Sequence, residues 1–105
     1  MTMNIQIDGS IEKFLKSLEP PTIAKTLRTL DLLEKFGNKL GMPHSKNIAT
    51  GIFELRIRGK QEVRIFYCFH RNTIFLLQGF IKKSQKTPKK ELELARNKHY
   101  SLTKL

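Results

Sequence analysis

Apolar and polar residues alternate along the middle of this chain with a period of two, the pattern of half-buried β-strands. The alternation predicts strands at residues 53–58, 63–70 and 73–82, joined by short turns into an antiparallel meander. One face of the meander is apolar, whereas the other carries arginines, and a run of lysines follows the last strand. The pattern therefore predicts a sheet that packs on one face and presents fixed positive charge on the other.

The first hairpin has one register that keeps the two faces separate. A three-residue loop at 59–61 places Leu55 opposite Ile65 and Arg56 opposite Arg64. A two-residue loop would instead place Leu55 opposite Arg64 and mix apolar with charged positions. The preferred register thus brings two arginines into direct opposition on one face of the sheet.

Opposed like charges destabilise a strand pair, so this arrangement requires an explanation. Either both guanidinium groups extend into water, or Glu54 and Glu62 on the same strands neutralise them. The third interpretation is that Arg56 and Arg64 form a site for phosphate, which the planar guanidinium fork binds well. The sequence leaves these alternatives open.

The second hairpin is predicted to turn at residues 71–72. Continuing that register places Gly79 opposite Arg64, where a glycine leaves space for a ligand or marks a bulge. The alternation also assigns Phe80 to the face that meets the helices and Ile81 to the opposite face.

Helices are predicted on both sides of the meander in the sequence. After a short strand at 4–7, Ser10 is the expected N-cap of a helix that ends before Pro20. A second helix follows from Pro21 and ends near Gly37. Its apolar stripe is predicted at Ile23, Leu27, Leu30, Leu33 and Phe36.

The two helices are expected to form an α-hairpin that covers one face of the sheet. The polar stretch 42–51 shows no apolar periodicity and is interpreted as a loop. A third helix is predicted with Thr87 as N-cap and Pro88 at its first position, running to about Tyr100. The fold class is therefore α+β, a small antiparallel or mixed sheet with an N-terminal α-hairpin and a C-terminal helix, in one domain spanning residues 1–105.

Composition narrows the class of partner. The chain has 20 Lys and Arg against 9 Asp and Glu, a net charge of +11, which indicates an anionic partner and favours nucleic acid. No signal peptide or apolar membrane segment is evident, so no membrane partner is expected and a cytoplasmic location is predicted. Cys68 is the single cysteine, which fits a reduced thiol packed on the sheet.

No motif for a metal, a phosphate loop or a catalytic triad occurs, and the three histidines, His44, His70 and His99, are scattered. We therefore expect no metal and no cofactor. RNA cleavage is a reaction that few side chains can support, because the 2′-hydroxyl is an internal nucleophile and cations can stabilise the phosphate. The densest basic cluster either binds RNA or is a solvated charge run: Lys82, Lys83, Lys86, Lys89 and Lys90.

The order of elements and three segments, F-E-L-R-I-R, V-R-I-F-Y and L-L-Q-G-F-I-K-K-S-Q-K-T-P-K-K-E-L-E-L-A, resemble the RelE/HigB-type toxins of bacterial toxin–antitoxin modules. The resemblance covers about residues 10–98 and is greatest to their phage-derived HigB-like branch. It implies a RelE-like fold and a metal-independent endoribonuclease that cuts mRNA in the A site of the 70S ribosome. It also implies a cognate antitoxin, a helix-turn-helix protein similar to HigA.

The resemblance also suggests roles for individual residues. Arg64 resembles the family's active-site arginine, and Glu54 on the arginine face is a candidate base. Tyr67 faces the core by parity and is interpreted as structural. The predicted catalytic set is Arg64, Arg56, Glu54 and Lys83. The predicted RNA-binding set is Arg58, Lys82, Lys86, Lys89 and Lys90.

Two other functions remain compatible with the sequence. One is a ParE-like poison of DNA gyrase, which would not need arginines arranged around a phosphate. The other is a non-catalytic domain that binds RNA or the ribosome through its charge alone.

Overall fold

The computed structural model describes residues 2–104 and has the predicted α+β architecture, a five-stranded mixed sheet with three α-helices. The elements in chain order are β1 (Asn4–Gln6), α1 (Gly9–Lys16), α2 (Pro20–Phe36), β2 (Ser45–Ala49), β3 (Ile52–Ile57), β4 (Val63–His70), β5 (Thr73–Ile81) and α3 (Lys89–Thr103). The strand order is β1-β5-β4-β3-β2, with β1 parallel to β5 and every other pair antiparallel. None of the helices in this part of the chain combines the length and apolar character of a membrane span.

Strand β2 lies within the segment that the sequence predicted to be a loop, so that prediction was wrong. It pairs with β3 from Ser45 opposite Leu55, with an irregularity between Asn47 and Ala49. The buried Ser45 hydroxyl shares a short hydrogen bond with the hydroxyl of Tyr67 on β4. Ser45, Lys46 and Asn47 show no apolar alternation, so periodicity could not reveal the strand, although Ile48 and Ala49 at its end pack against a buried apolar cluster.

Helix α1 begins with a different cap from the one predicted. The Asp8 carboxylate, not Ser10, accepts the hydrogen bond from the backbone N–H of Ile11 at 3.0 Å. Although partial burial alone would raise the pKa of Asp8, hydrogen bonds from Ser10, Lys98 and Ile11 lower it to about 2. Because Lys98 Nζ lies 2.9 Å from Asp8 Oδ2, this cap also joins α1 to α3.

Helix α2 buries a different face from the predicted stripe. Leu27 is 52% exposed and Phe36 is 45% exposed, so these two assignments were wrong. Threonines take their place in the interior. Thr29 donates to the Lys25 carbonyl oxygen at 2.9 Å, whereas the Thr26 hydroxyl has no hydrogen-bond partner among the described residues. The buried residues of α2 are Thr22, Thr26, Thr29, Leu30 and Leu33.

Two apolar cores lie on opposite faces of the sheet. The larger core includes residues of α1 and α2 packed on Leu55, Ile65 and Tyr67, so the structural role predicted for Tyr67 agrees with its position. The smaller core packs α3, through Leu92 and the buried Ala95, on the other face. It contains Ile52, Phe66, Cys68, Leu77 and Phe80. Burial raises the pKa of the Cys68 thiol to about 11.

The β4–β5 hairpin turns at Arg71 and Asn72, as predicted, and both residues have positive φ angles. The strands do not keep the predicted register, because Tyr67 pairs with Leu76 whereas Phe66 pairs with Gln78. The extra residue of this bulge, Leu77, shifts the rest of β5 by one position.

The bulge overturns three predictions for the end of β5. Arg64 pairs with Phe80 rather than Gly79. Phe80 packs in the core beneath α3, and Ile81 packs against the core of the helical hairpin, the reverse of the predicted faces. A one-residue shift reverses every side chain beyond it, since neighbouring residues of a strand point to opposite faces.

Gly79 makes room for a core side chain and not for a ligand beside Arg64. A Cβ atom at Gly79 would lie 2.6 Å from Cδ2 of Phe14, which projects from α1. The glycine therefore lets the Phe14 ring of α1 pack directly on the backbone of β5.

We expect Gly79→Ala to destabilise the protein by about 1–3 kcal/mol through overpacking. Urea denaturation of a double-mutant cycle with Phe14→Leu measures the effect, and the smaller residue should remove most of the added cost of the alanine. Equal costs of Gly79→Ala in both backgrounds would show that the Phe14 contact does not account for the glycine.

The C-terminal helix starts later than predicted, since Pro88 rather than Thr87 is its N-cap residue and Lys89 is its first helical residue. Glu91 in its first turn accepts a hydrogen bond from Gln78 on β5 at 2.7 Å. This contact fixes the start of α3 beside the segment of lysines that follows β5.

Candidate functional site

The arginine face of the sheet has the predicted register, with Arg56 directly opposite Arg64. The Arg56 Nε donates a hydrogen bond to Glu54 Oε1 at 2.9 Å. Glu54 is buried, with 2% of its side chain exposed, and Arg56 retains 16%. The carboxylate of Glu54 therefore lies under the first arginine and is shielded from solvent.

Arg64 is also buried and is held by several polar groups. One terminal nitrogen donates to Glu62 Oε2 at 3.2 Å and to the carbonyl oxygen of Val63 at 3.0 Å. Its Nε lies 4.0 Å from Glu54 Oε1 and makes no hydrogen bond to any group within residues 2–104. The guanidinium group is fixed in place but retains an unsatisfied donor.

Glu62 extends this arrangement toward the solvent. Besides Arg64, its Oε2 lies 3.9 Å from a terminal nitrogen of Arg58, which is 62% exposed. Arginines and glutamates thus alternate across the sheet in the order Arg56, Glu54, Arg64, Glu62, Arg58. The two carboxylates separate the guanidinium groups electrostatically, which offsets the repulsion that the register would otherwise impose.

A cavity of about 470 Å³ opens beside this row of charges. Its walls come from the end of the β3–β4 hairpin and from the segment after β5. A backbone hydrogen bond of 2.7 Å, from the Lys82 N–H to the Glu62 carbonyl oxygen, joins these two walls. The residues that line it are Arg58, Glu62, Arg64, Lys82, Lys83, Ser84 and Gln85. We call it the cationic cavity.

The structure brings together only part of the predicted site. Arg58, Arg64, Lys82 and Lys83 line the cationic cavity, whereas Glu54 and Arg56 do not. The remaining predicted RNA-binding lysines are exposed but do not line it either: Lys86, Lys89 and Lys90.

The lysines of the cavity differ from its arginines in having no protein counter-charge. Among residues 2–104, neither the Lys82 nor the Lys83 ammonium group takes part in an ion pair. Arg58 and Arg64 share the single carboxylate of Glu62, so the cavity carries an excess of three positive charges. Such a cavity favours an anion such as a phosphate group.

Sequence reasoning treated Glu62 only as a counter-charge and assigned no role to Ser84 or Gln85. The signal for Glu62 was its parity, because it lies on the same face as Arg64 two residues away. Ser84 and Gln85 carried no signal beyond their position after the lysines.

The histidines lie elsewhere and none lines the cationic cavity. His70 ends β4 with its ring 6.3 Å from that of Phe75, and His99 on α3 lies near Gly51. No group of three or more His, Cys, Asp or Glu side chains in the described part of the chain could hold a metal ion.

Comparison with protein families matches residues 13–99 to the phage-derived Gp49-like proteins, DUF891. The match covers most of the chain, so this protein belongs to that family, which is of the toxin type of toxin–antitoxin modules related to RelE and HigB. Membership implies a cognate antitoxin as partner. No curated protein matches the sequence significantly.

Proposed function

We propose that this protein is a ribosome-dependent endoribonuclease, the toxin of its module, which cuts mRNA in the ribosomal A site in the cytoplasm. The observation that carries the proposal is the cationic cavity, where two arginines and two lysines converge beside one accessible carboxylate. The family supports a toxin, and the cavity supports chemistry on a phosphodiester.

Phosphate binding is assigned to the groups of the cavity that are accessible. Arg58 is exposed, and the ammonium groups of Lys82 and Lys83 have no carboxylate partner among the described residues. They hold the scissile phosphate, and Arg64 stabilises the charge that develops on its oxygens in the transition state. Because Arg64 is already fixed by Glu62 and Val63, it requires little reorganisation during the reaction.

The carboxylate that accepts the proton is assigned to Glu62 in preference to Glu54. Both carboxylates pair with arginines, but Glu62 lines the cavity and is 35% exposed, whereas Glu54 is 2% exposed and lies outside it. Glu54 acts as a positioning residue, since its charge holds Arg56 and Arg64 on the same face of the sheet.

The reaction then follows an in-line course. The 2′-oxygen gives its proton to Glu62 and attacks the adjacent phosphorus, forming a 2′,3′-cyclic phosphate. The bond to the 5′-oxygen breaks, and that oxygen keeps the electron pair and takes a proton from the Lys83 ammonium group. General acid–base catalysis of this kind contributes about 10²–10⁴-fold in rate.

Dependence on the ribosome follows from what the cavity does not supply. Among the described residues no histidine lines it, and we assign alignment of the 2′-hydroxyl with the leaving oxygen to the ribosome. Ribosomal RNA can hold the codon in the required geometry, and alignment of reacting groups accounts for a large part of many enzymatic rate enhancements. Neutralisation by a helix-turn-helix antitoxin completes the proposed module.

We expect primer extension to show one cut within the A-site codon of a ribosome-bound mRNA and almost none in the same mRNA free in solution. The control is an equal concentration of Arg64→Lys protein, which keeps the charge. Equal cutting of free and ribosome-bound RNA would contradict ribosome dependence. Absence of cutting in either case, with broken DNA accumulating in cells, would instead indicate a gyrase poison.

A further inference from the structure

A second groove lies on the other side of Arg58, between α2 and the end of β3. It has a volume of about 600 Å³, within the range of sites that hold a small organic ligand. Arg58 lines this groove and the cationic cavity, so the two cavities share one wall. We call it the α2 groove.

Cationic side chains dominate the polar part of the α2 groove. Lys25 and Arg28 come from successive turns of α2, and Arg56 and Arg58 come from β3. Asp31 is the one carboxylate on its wall. The excess of positive charge on this wall matches that of the cationic cavity, and it favours an anionic occupant.

The availability of these cations differs. Arg28 is exposed and makes no side-chain hydrogen bond or ion pair with another described residue. Lys25 donates one hydrogen bond to the carbonyl oxygen of Arg58 at 3.0 Å, which holds its ammonium group at the boundary between the two cavities. An ammonium group has three donors, so Lys25 can bind a phosphate oxygen without losing this contact.

The remainder of the lining combines Thr29 and His44 with an apolar part. Leu32 from α2, Pro43 from the loop before β2 and Ile57 from β3 contribute to its lining. A cationic rim around an apolar surface suits a nucleotide, whose phosphate is charged and whose base presents a flat, weakly polar face.

We infer that the α2 groove binds the nucleotide of single-stranded RNA that adjoins the scissile phosphate, with Lys25 and Arg28 on its phosphate and the base against the apolar lining. The inference rests on the proposed function for the identity of the strand. A strand of RNA bound in the cationic cavity must leave it across one of its walls. Arg58 lines both cavities, so a strand that leaves at Arg58 enters the positively charged α2 groove. An acidic protein segment would use the charges but has no comparable need for continuity with the cationic cavity.

RNAs of two lengths distinguish binding in the cationic cavity alone from binding in both cavities. Fluorescence anisotropy at low salt measures the affinity of a labelled dinucleotide, which has one internucleotide phosphate, and of a hexanucleotide. The test protein is Lys25→Gln/Arg28→Gln, because glutamine removes charge and can still donate at position 25. The matched control is Lys13→Gln/Lys16→Gln on α1, which removes the same charge at exposed positions outside both cavities.

We expect Lys25→Gln/Arg28→Gln to weaken hexanucleotide binding by about tenfold, through loss of charged hydrogen bonds, and to leave dinucleotide binding unchanged. The slope of log K against log salt should fall by about 0.7 for the one phosphate released. The control should change neither. A third variant, Lys82→Gln/Lys83→Gln, should weaken binding of both RNAs because it alters the cationic cavity.

Each other outcome contradicts the inference. Equal hexanucleotide affinity in the α2-groove variant and its control would overturn it while leaving the proposed function intact, provided that Lys82→Gln/Lys83→Gln still weakens binding. Unchanged RNA binding together with lost affinity for an antitoxin would reassign the groove to an acidic protein segment. Failure of the wild-type protein to bind either RNA would overturn the inference, whereas the proposed function is tested separately by cleavage of ribosome-bound mRNA. The inference is judged by RNA binding. Loss of cleavage by the α2-groove variant therefore does not count against it if hexanucleotide binding is weakened as expected.

Discussion

Arg64→Lys is expected to lower ribosome-dependent cleavage by about 10²–10³-fold, the typical cost of one lost contact to a developing transition-state charge. Lysine keeps the positive charge between Glu54 and Glu62, so the fold should persist. It cannot reproduce the planar fork, whose terminal nitrogen donates to Glu62 and Val63 and whose Nε remains unsatisfied. Single-turnover cleavage on a programmed ribosome measures the rate, and circular dichroism checks the fold.

Arg64→Ala is a weaker test of the catalytic role, because Arg64 is only 4% exposed and its removal also affects stability. Arg64→Ala removes the partner of Glu62 and one of the two arginines beside Glu54. Breaking a buried charge pair costs about 3 kcal/mol or more, so we expect loss of stability together with loss of activity. Cleavage by Arg64→Lys at the wild-type rate would exclude the fork of Arg64 from the transition state.

Glu54→Gln is expected to act mainly on stability, and Glu62→Gln mainly on the cleavage rate. Glu54→Gln leaves Arg56 and Arg64 without the buried charge between them, and it should destabilise the protein by about 3–5 kcal/mol. Glu62 is 35% exposed and Arg64 keeps Glu54 at 4.0 Å, so Glu62→Gln should cost less than Glu54→Gln, about 1–3 kcal/mol for the weakened charged hydrogen bond. If Glu62 accepts the proton of the 2′-hydroxyl, its loss should slow cleavage by about 10²–10⁴-fold.

Urea denaturation and single-turnover cleavage, measured on both variants, separate the two roles. The cleavage rate of Glu54→Gln is measured without urea and divided by the folded fraction from the urea denaturation curve. A larger loss of rate in folded Glu54→Gln than in Glu62→Gln would return the base assignment to Glu54. Wild-type stability of Glu54→Gln would mean that its carboxylate does not hold the two arginines in place.

Two glutamates reduce the electrostatic repulsion between the arginines of the site. With a net charge of +11, a face of three arginines repels itself unless acids lie between them. Glu54 and Glu62 reduce that repulsion at fixed positions, whereas Lys82 and Lys83 remain without counter-charge among the described residues. The protein thus fixes its arginines internally and leaves its lysines available to an anion.

The alternation of apolar and polar residues was sufficient to predict strand pairing where one face of a strand had to be buried. The alternation of β3 and β4, with a three-residue loop, predicted the pairing of Arg56 with Arg64, because a two-residue loop would have mixed apolar with charged positions. It also placed Tyr67 in the core. Of the five lysines after β5 that the sequence singled out, Lys82 and Lys83 line the cationic cavity, whereas Lys86, Lys89 and Lys90 do not.

Only the tertiary structure decided the features that depend on contacts distant in sequence. The bulge at Leu77 moved Phe80 and Ile81 to the faces opposite those predicted. Strand β2 exists because β3 offers an edge. The exposure of Leu27 and the burial of the α2 threonines follow from the rotation of a helix against the sheet, which a helical period alone does not specify. The separation of Glu54 from the cavity and the inclusion of Glu62 were likewise set by packing, because parity assigns a face of the sheet but not a depth within it.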